Sequence, residues 1–405
     1  MNTVTAYIME DLENVKLQLV LFMLRPLAVI ESCFAKFRYR RVNGDVKIIN
    51  RKMKIYGVVM VFAFTIPFVI SFVNHLLLSN SMNILETMNL VEDTVTLAMI
   101  IQHVICMIIF QCYSMYNVRI IKKITYIDKI LKISNENLFY KKSRIQVQIG
   151  ITIVFIVYIF MYILDSCTFH GDESIIKTIV SVIVDFDRHF QIYAFCVYMY
   201  VIIKRLSLIN EYLKQSINTQ KKKKVNIILP PATPQIKNFR SPSAQTIEIQ
   251  TLAVAYDIIG ETTSLINKIF QINILNTLVF TFIYIIISIW ISIYDMRSDA
   301  TSETLSRVIL ICIFEILSVG IMSYICELII FKRYATKNLI NEIIMDYDLP
   351  KEVRLHAKAF LMLIEVWPLK TFTYDMITID MKLMLKFISV STTYLIIIIQ
   401  VSNLL

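Results

Sequence analysis

The sequence has few of the residues that interrupt helices. Its 405 residues include only 6 glycines and 8 prolines, so long helical segments can run without a break. Charged residues are also scarce, at 18%, whereas 57% of the residues are hydrophobic, and this balance lies outside the range of soluble globular proteins. The chain is therefore predicted to be an all-α integral membrane protein.

Motifs for metal binding and catalysis are missing as well. The 7 cysteines form no CxxC pair and no cluster with histidine, so neither a metal site nor a disulfide framework is supported. HExxH, a nucleophile elbow and a phosphate-binding glycine loop do not occur. We therefore expect no enzymatic activity, no metal and no cofactor. The net charge of +10 lies in short blocks between apolar segments, which argues against nucleic acid as a partner.

Long apolar segments are abundant. A membrane-spanning helix takes about 20 largely apolar residues. Seven segments qualify: Ile55–Leu78, Thr94–Tyr116, Ile145–Leu164, Thr178–Ile203, Ile269–Tyr294, Val308–Phe331, and a last one from Leu383 to the C-terminus. Because backbone polar groups in lipid must be paired within the segment, each is predicted to be a transmembrane helix.

Basic residues alternate between two groups of connecting segments. Segments 1–54, 117–144, 204–268 and 332–370 hold 10, 8, 10 and 7 Lys and Arg residues, whereas 79–93, 165–177 and 295–307 hold 0, 1 and 2. The positive-inside rule places the basic group in the cytosol. The N-terminus is thus predicted to be cytosolic and the C-terminus extracellular, the reverse of a G-protein-coupled receptor, in a multi-pass protein of the plasma membrane.

The segments suggest a division of the chain. Four parts are predicted: a cytosolic N-terminal segment with an interfacial helix (1–54), a six-helix transmembrane bundle (55–331), a cytosolic helical anchor (332–382) and the seventh helix (383–405). The fourth and fifth helices are predicted to extend into the cytosol around a flexible linker at 216–245, which holds Lys221–Lys224 and four prolines. This basic run either contacts anionic lipid headgroups or is simply solvated.

The last segment carries a pattern of Thr393-Tyr394, five apolar residues and Gln400. It resembles the C-terminal signature of insect gustatory receptors, in which Phe usually follows the Gln and where this chain has Val401. Ile379–Asp380 upstream is similar to the same family. The resemblance implies a homotetrameric, ligand-gated, non-selective cation channel of a sensory-neuron dendrite, with the last helix lining a central pore.

The pore residues follow partly from the resemblance and partly from helical spacing. A related odorant-receptor co-receptor has a hydrophobic gate three residues before the same Gln, which implies Ile397 as the gate and Gln400 as a polar ring. Ser389, Thr393, Ile397 and Gln400 fall on one helical face. Four copies would line one path, and a ring of isoleucines stops ions by dewetting. Alternatively, the hydroxyls bond their own backbone and Gln400 bonds a neighbouring helix. Tyr394 is predicted to pack against neighbouring helices.

Polar side chains inside the predicted helices need partners or a function. The candidate ligand-binding residues, in the outer half of the bundle, are Gln102, His103, Tyr162, Asp185, Arg188, His189, Trp290 and Glu315. A few polar groups among aromatics are typical of a small-molecule site, and the resemblance implies a pocket at this depth. Two alternatives remain: neutralisation within the fourth helix by groups at i+3 and i+4, and interfacial anchoring of the Trp and Tyr.

The class of ligand is inferred from the resemblance. Sugar receptors of the family typically have Glu directly after the Thr-Tyr pair, where this chain has Leu395. A receptor for a bitter or plant compound, like those of moths and butterflies, is therefore favoured. A fructose-type receptor, an odorant receptor subunit of the same superfamily and a membrane transporter remain alternatives. The expected partners are identical subunits, a small-molecule tastant, permeant cations and membrane lipids.

Overall fold

A computed structural model describes residues 2–42, 44–78, 84–133, 136–168, 175–228, 248–297 and 302–404. This part of the chain is almost entirely helical, as predicted. The helices are α1 (Asn2–Cys33), α2 (Arg51–Leu78), α3 (Ile84–Cys112), α4 (Ser114–Ile130), α5 (Glu136–Thr168), α6 (Ile175–Ile228), α7 (Ile249–Arg297), α8 (Ser302–Met345), α9 (Lys351–Val366) and α10 (Met381–Leu404). Two short antiparallel hairpins pair β1 (Arg40–Val42) with β2 (Asp45–Lys47) and β3 (Phe372–Thr373) with β4 (Ile377–Thr378).

Six helices in the described ranges are long and apolar enough to cross a membrane. Their candidate spans are Arg51–Asn74, Thr94–Cys112, Leu138–Phe160, Val180–Thr219, Ile249–Ser288 and Ile309–Met345. Each overlaps one of the first six predicted segments. The seventh predicted segment is helix α10, which lies outside this set and has 24 residues. At 1.5 Å per residue it is about 36 Å long, enough for a bilayer core of about 30 Å.

The second predicted segment ends earlier than expected. Helix α3 stops at Cys112 rather than Tyr116, because Tyr113 leaves helical geometry at φ −89° and ψ 12°. The chain then begins α4, a helix that hydropathy did not predict. Ile120, Ile124 and Ile127 of α4 are buried, which is the 3-to-4-residue spacing of an amphipathic helix.

Helices α6, α7 and α8 have 54, 49 and 44 residues and continue well past the transmembrane segments predicted from the sequence, as expected for the fourth and fifth. Helix α6 reaches Ile228, so residues 216–228 of the predicted flexible linker are helical. Lysine is a good helix former, which accounts for this difference. The proline-rich remainder, 229–245, lies outside the described residues.

The predicted cytosolic anchor is built around α9. Pro350 precedes this helix, and Ala357, Phe360 and Ile364 form its buried face against α7 and α8. The guanidinium of Arg333 in α8 donates a hydrogen bond of 2.8 Å to the carbonyl oxygen of Ile364. This bond satisfies one of the carbonyls that the end of α9 leaves unpaired.

The segment between α9 and α10 connects the anchor to the last helix. The ring of Trp367 packs on Gly260 of α7, and its indole nitrogen donates to Asp257 at 2.7 Å. The hairpin β3–β4 follows, and Asp380 then caps α10 by accepting a hydrogen bond of 2.9 Å from the backbone nitrogen of Leu383. The start of α10 is therefore fixed to α7 through a short, well-bonded connection.

Candidate functional site

Arg188 lies at the centre of a buried ion network that joins three helices. Its guanidinium donates to Asp185 of the same helix, α6, at 2.7 Å, and to both carboxylate oxygens of Glu315 in α8. It also donates to the hydroxyl of Thr281 in α7 at 3.0 Å, and that hydroxyl donates to Glu315 at 2.8 Å. A guanidinium inside a membrane protein requires such complete pairing, since an unpaired buried charge is costly.

Tyr158 and His189 complete this network. The hydroxyl of Tyr158, in α5, contacts the carboxylate of Asp185 at 3.0 Å and also contacts the imidazole of His189. The other imidazole nitrogen, Nε2, lies 3.4 Å from Glu315, too far for a well-formed hydrogen bond. The ring of Phe314 covers the imidazole, with ring centres 4.8 Å apart. The network therefore links four helices, α5 to α8.

The same groups have the composition of a metal site but are otherwise engaged. Ligand atoms of Asp185, His189 and Glu315 lie within 4.8 Å of one another. Arg188 already contacts both carboxylates. A metal cation at this point would face the guanidinium at close range, and like charges repel strongly in a medium of low dielectric constant. The arrangement therefore favours an ion-pair network over a metal centre.

A second buried network surrounds Asp187. Lys36, in the loop that follows α1, places its ammonium 2.5 Å from the Asp187 carboxylate. The imidazole of His103 in α3 lies 2.7 Å from the same oxygen. Residues 1–54 were predicted to be cytosolic, so the contact of Lys36 inside the bundle was not expected from the sequence. This part of the N-terminal segment is inserted between helices.

A small cavity lies between the two networks. Its volume is about 10 Å³, and its lining includes Gln102, His103, Asp187, Arg188 and Asn273. The side-chain oxygen of Gln102 and the side-chain nitrogen of Asn273 are buried without a hydrogen-bond partner. Space of this size holds about one water molecule. The polar groups of the predicted pocket thus converge, but the pocket is closed in this conformation.

The structure brings together six of the eight predicted ligand-binding residues. Asp185, Arg188, His189 and Glu315 belong to the first network, and Gln102 and His103 lie beside the second. Tyr162 is placed apart from them, with 45% of its side chain exposed. The side chain of Trp290 lies outside the described residues.

Four contributing residues were missed by sequence reasoning: Tyr158, Thr281, Lys36 and Asn273. Tyr158 had a readable signal, because it lies one helical turn before Tyr162, a predicted ligand-binding residue, and a tyrosine inside an apolar helix needs a partner for its hydroxyl. The other three had none, because their contacts depend on how separate helices are rotated against one another.

Helix α10 packs on the rest of the chain through one face only. Met384 lies against Gly320 of α8, Phe387 contacts Phe282 of α7 with ring centres 6.1 Å apart, and Ser391 is buried. At 100° per residue, this packing face points about 160° away from the mean direction of the predicted pore residues.

The predicted pore face is exposed along its length in the single chain. Ser389, Thr393, Ile397 and Gln400 all have exposed side chains, and Ile397 is 46% exposed. The hydroxyl of Thr393 donates to the backbone carbonyl of Ser389 at 2.9 Å, as the alternative interpretation of these hydroxyls expects. The ring of Tyr394 packs edge-on against Phe282 at 5.5 Å, the kind of contact expected of a packing residue.

The chain is similar to known proteins both in sequence pattern and in fold. A family model described as 7tm chemosensory receptor matches residues 24–403. Among solved structures, the insect olfactory receptor OR5 from Machilis hrabei, in complex with eugenol, is similar with a TM-score of 0.65. Its sequence identity is 12%, and the alignment covers 93% of this chain and 97% of that one. No curated protein sequence matches the chain.

Proposed function

We propose that this chain, which belongs to the 7tm chemosensory receptor family, is a gustatory receptor that acts as a ligand-gated, non-selective cation channel. The chain is a multi-pass membrane protein of a chemoreceptor family and not an enzyme. The observation that carries the proposal is the exposed face of α10, which combines hydroxyls, Ile397 and Gln400 opposite the face that packs on α7 and α8.

A tetramer would give this face its partners. Polar side chains such as Ser389 and Gln400 are poorly placed against lipid, because their hydrogen-bonding groups would be unpaired there. Four copies around an axis would instead face these groups towards water and ions. Ile397 would then form an apolar constriction, which closes a pore by excluding water.

The ligand would enter where the two buried networks meet. The cavity there has a volume of about 10 Å³, so a tastant requires side chains of the networks to separate. The buried, unpartnered amide atoms of Gln102, Gln191 and Asn273 supply hydrogen-bonding groups for it. A ligand that binds better to the separated arrangement shifts the equilibrium towards it, and in this proposal that arrangement is the open channel.

The ligand is proposed to be a bitter or plant compound. This chain has Leu395 where sugar receptors of the family typically have a Glu directly after the Thr-Tyr pair. It therefore lacks the signature of a sugar receptor. The similar receptor from Machilis hrabei binds a small molecule, eugenol. That fold likeness favours an odorant receptor subunit as the second candidate function.

The test is electrical recording from cells that express only this chain. The panel contains alkaloids, plant glucosides, sugars and eugenol. We expect a cation current evoked by at least one bitter or plant compound. A current that appears only beside a second receptor would indicate an odorant receptor subunit. Saturable uptake without single-channel openings, in cells with the protein at their surface, would contradict the channel and indicate a transporter.

A further inference from the structure

A large groove runs along one side of α1, and its lining contains no residue of either network or of α10. Its volume is about 960 Å³. The lining consists of Gln18, Leu19, Leu21, Phe22, Arg25, Ala28, Val29, Ser32 and Cys33 of α1, together with Tyr39 and Arg41. Two arginines and no acidic residue line it. Phe22 and Val29, seven residues apart on the same face of α1, are 40% and 54% exposed.

Contacts with α5 give the depth of this groove in the membrane. The side chains of Ile149, Ile153 and Ile156 form an exposed apolar row on α5 that begins just after Arg144. Arg144 therefore lies where the hydrocarbon core meets the headgroups of the cytosolic leaflet. Its guanidinium stacks on the ring of Phe22, 4.0 Å from the ring centre. The groove thus opens at the level of the inner headgroups.

Arg25 follows Phe22 by one turn, about 4.5 Å along α1. It forms no ion pair with any acidic side chain that the structure describes. A guanidinium at the headgroup level is well placed to pair with an anionic lipid phosphate. Arg41 contacts the amide oxygen of Gln18 and keeps a second guanidinium at the groove. Burial raises the pKa of Tyr39 to about 12, so its hydroxyl remains protonated and able to donate to an anion.

We propose that this groove binds an anionic phospholipid of the cytosolic leaflet. The headgroup phosphate lies against Arg25 and Arg41, since guanidinium groups match phosphate oxygens in bidentate pairs. An acyl chain lies along Phe22 and Val29 and continues into the bilayer beside α5. The apolar part of the lining selects a lipid over a soluble phosphate.

The position of the groove also connects it to the buried networks. Helix α1 ends at Cys33, and Lys36, which pairs with Asp187, follows in the adjoining loop. A lipid that holds α1 in place therefore also holds Lys36 in its contact.

Binding of phosphatidylserine and phosphatidylcholine to the purified full-length chain, by native mass spectrometry and thermal unfolding, tests the proposal independently of channel activity. We expect selective retention of phosphatidylserine and an increase in melting temperature. Arg25→Gln should weaken its apparent affinity about fivefold, and Arg25→Gln with Arg41→Gln further. Arg25→Lys should weaken the affinity less than Arg25→Gln does, because the charge remains although the bidentate contact is lost.

Arg119→Gln is the matched control, because Arg119 is an exposed arginine of α4 that contacts Tyr116 and lies outside the groove. This variant should bind phosphatidylserine like the unaltered chain. Equal retention of the two lipids, or equal loss of binding in the Arg25 and Arg119 variants, would overturn the proposal. So would competition by glycerophosphoserine at lipid concentrations, which would indicate a site for the soluble headgroup alone.

Discussion

At the scale of single residues, the first network has an unequal number of opposite charges. Asp185 and Glu315 are acidic, whereas Arg188 is the one permanently charged basic group among the described residues of this network. The two carboxylates therefore share one guanidinium. The side chains of His189 and Tyr158 lie beside these carboxylates. Removing the guanidinium and removing one carboxylate should consequently have different effects.

We predict that Arg188→Met destabilises the protein by about 3–5 kcal/mol, because it leaves two carboxylates without their counter-charge in the bundle. Glu315→Gln should be much milder, since Arg188 and Asp185 remain as a balanced pair. Thermal unfolding in detergent measures both, with Arg119→Met as a control for the loss of an arginine. Equal destabilisation by the Arg188 and Glu315 variants would show that charge balance does not govern this network.

A second residue-scale prediction concerns the proposed gate. Ile397→Ser should increase resting current, because a hydroxyl ring admits water where isoleucine excludes it. Leu385→Ser, on the same helix but facing about 80° away from the mean pore direction, is the control. Whole-cell current, normalised to protein at the cell surface, is the measurement. Unchanged resting current in Ile397→Ser would remove this residue from the gate.

Pairings between side chains were the part of the site that the sequence predicted least. The spacing of Asp185 and Arg188 within one helix predicted their ion pair. Glu315 was included as a polar residue at similar depth, but its contact with Arg188 depends on how α8 is rotated against α6. Lys36 was assigned to a cytosolic segment, and nothing in its neighbourhood indicated that it enters the bundle.

At the scale of elements, the segment between α9 and α10 packs tightly on α7 through Trp367. The ring of Trp367 lies so close to Gly260 that a methyl group at this position would overlap it. The indole nitrogen of the same ring donates a hydrogen bond to Asp257. The backbone carbonyl oxygen of Trp367 accepts a hydrogen bond of 3.0 Å from the hydroxyl of Tyr256. A glycine is thus required here for close packing, although alanine is the better helix former.

We predict that Gly260→Ala destabilises the protein by about 1–3 kcal/mol, the usual range for overpacking. Gly320→Ala is the matched control, because its neighbour Met384 is a flexible side chain that can move aside. Chemical or thermal unfolding of the two variants makes the comparison. A Gly260→Ala protein as stable as the Gly320→Ala protein would contradict the tight packing of Trp367.

Hydropathy predicted most of the helices but not the amphipathic helix α4. The six spans follow from their apolar length. The extensions of α6 and α7 follow from the helix-prone residues on either side of the linker. Helix α4 was not predicted because it is amphipathic rather than apolar, although its buried isoleucines were readable at helical spacing. The break at Tyr113 has no sequence signal of its own, since neither glycine nor proline marks it.

At the scale of the whole molecule, family membership confirms the resemblance that the C-terminal motif indicated. Apolar length sufficed for the membrane class and the order of helices, whereas the orientation that charge asymmetry predicts stays a prediction. Subunit number and ligand came from the resemblance alone and stay predictions, because both depend on surfaces that meet other molecules. The exposed polar face of α10 is such a surface, and the proposed function depends on copies of this helix lining one conduction path.

Cysteine accessibility tests this dependence most directly. In Gln400→Cys channels, a charged thiol reagent applied from outside should irreversibly block the ligand-evoked current. The unaltered chain and Thr392→Cys, which faces about 100° away from the mean pore direction, should conduct as before. A Gln400→Cys protein that is fully labelled, as shown by mass spectrometry, and still conducts undiminished current would contradict conduction along α10.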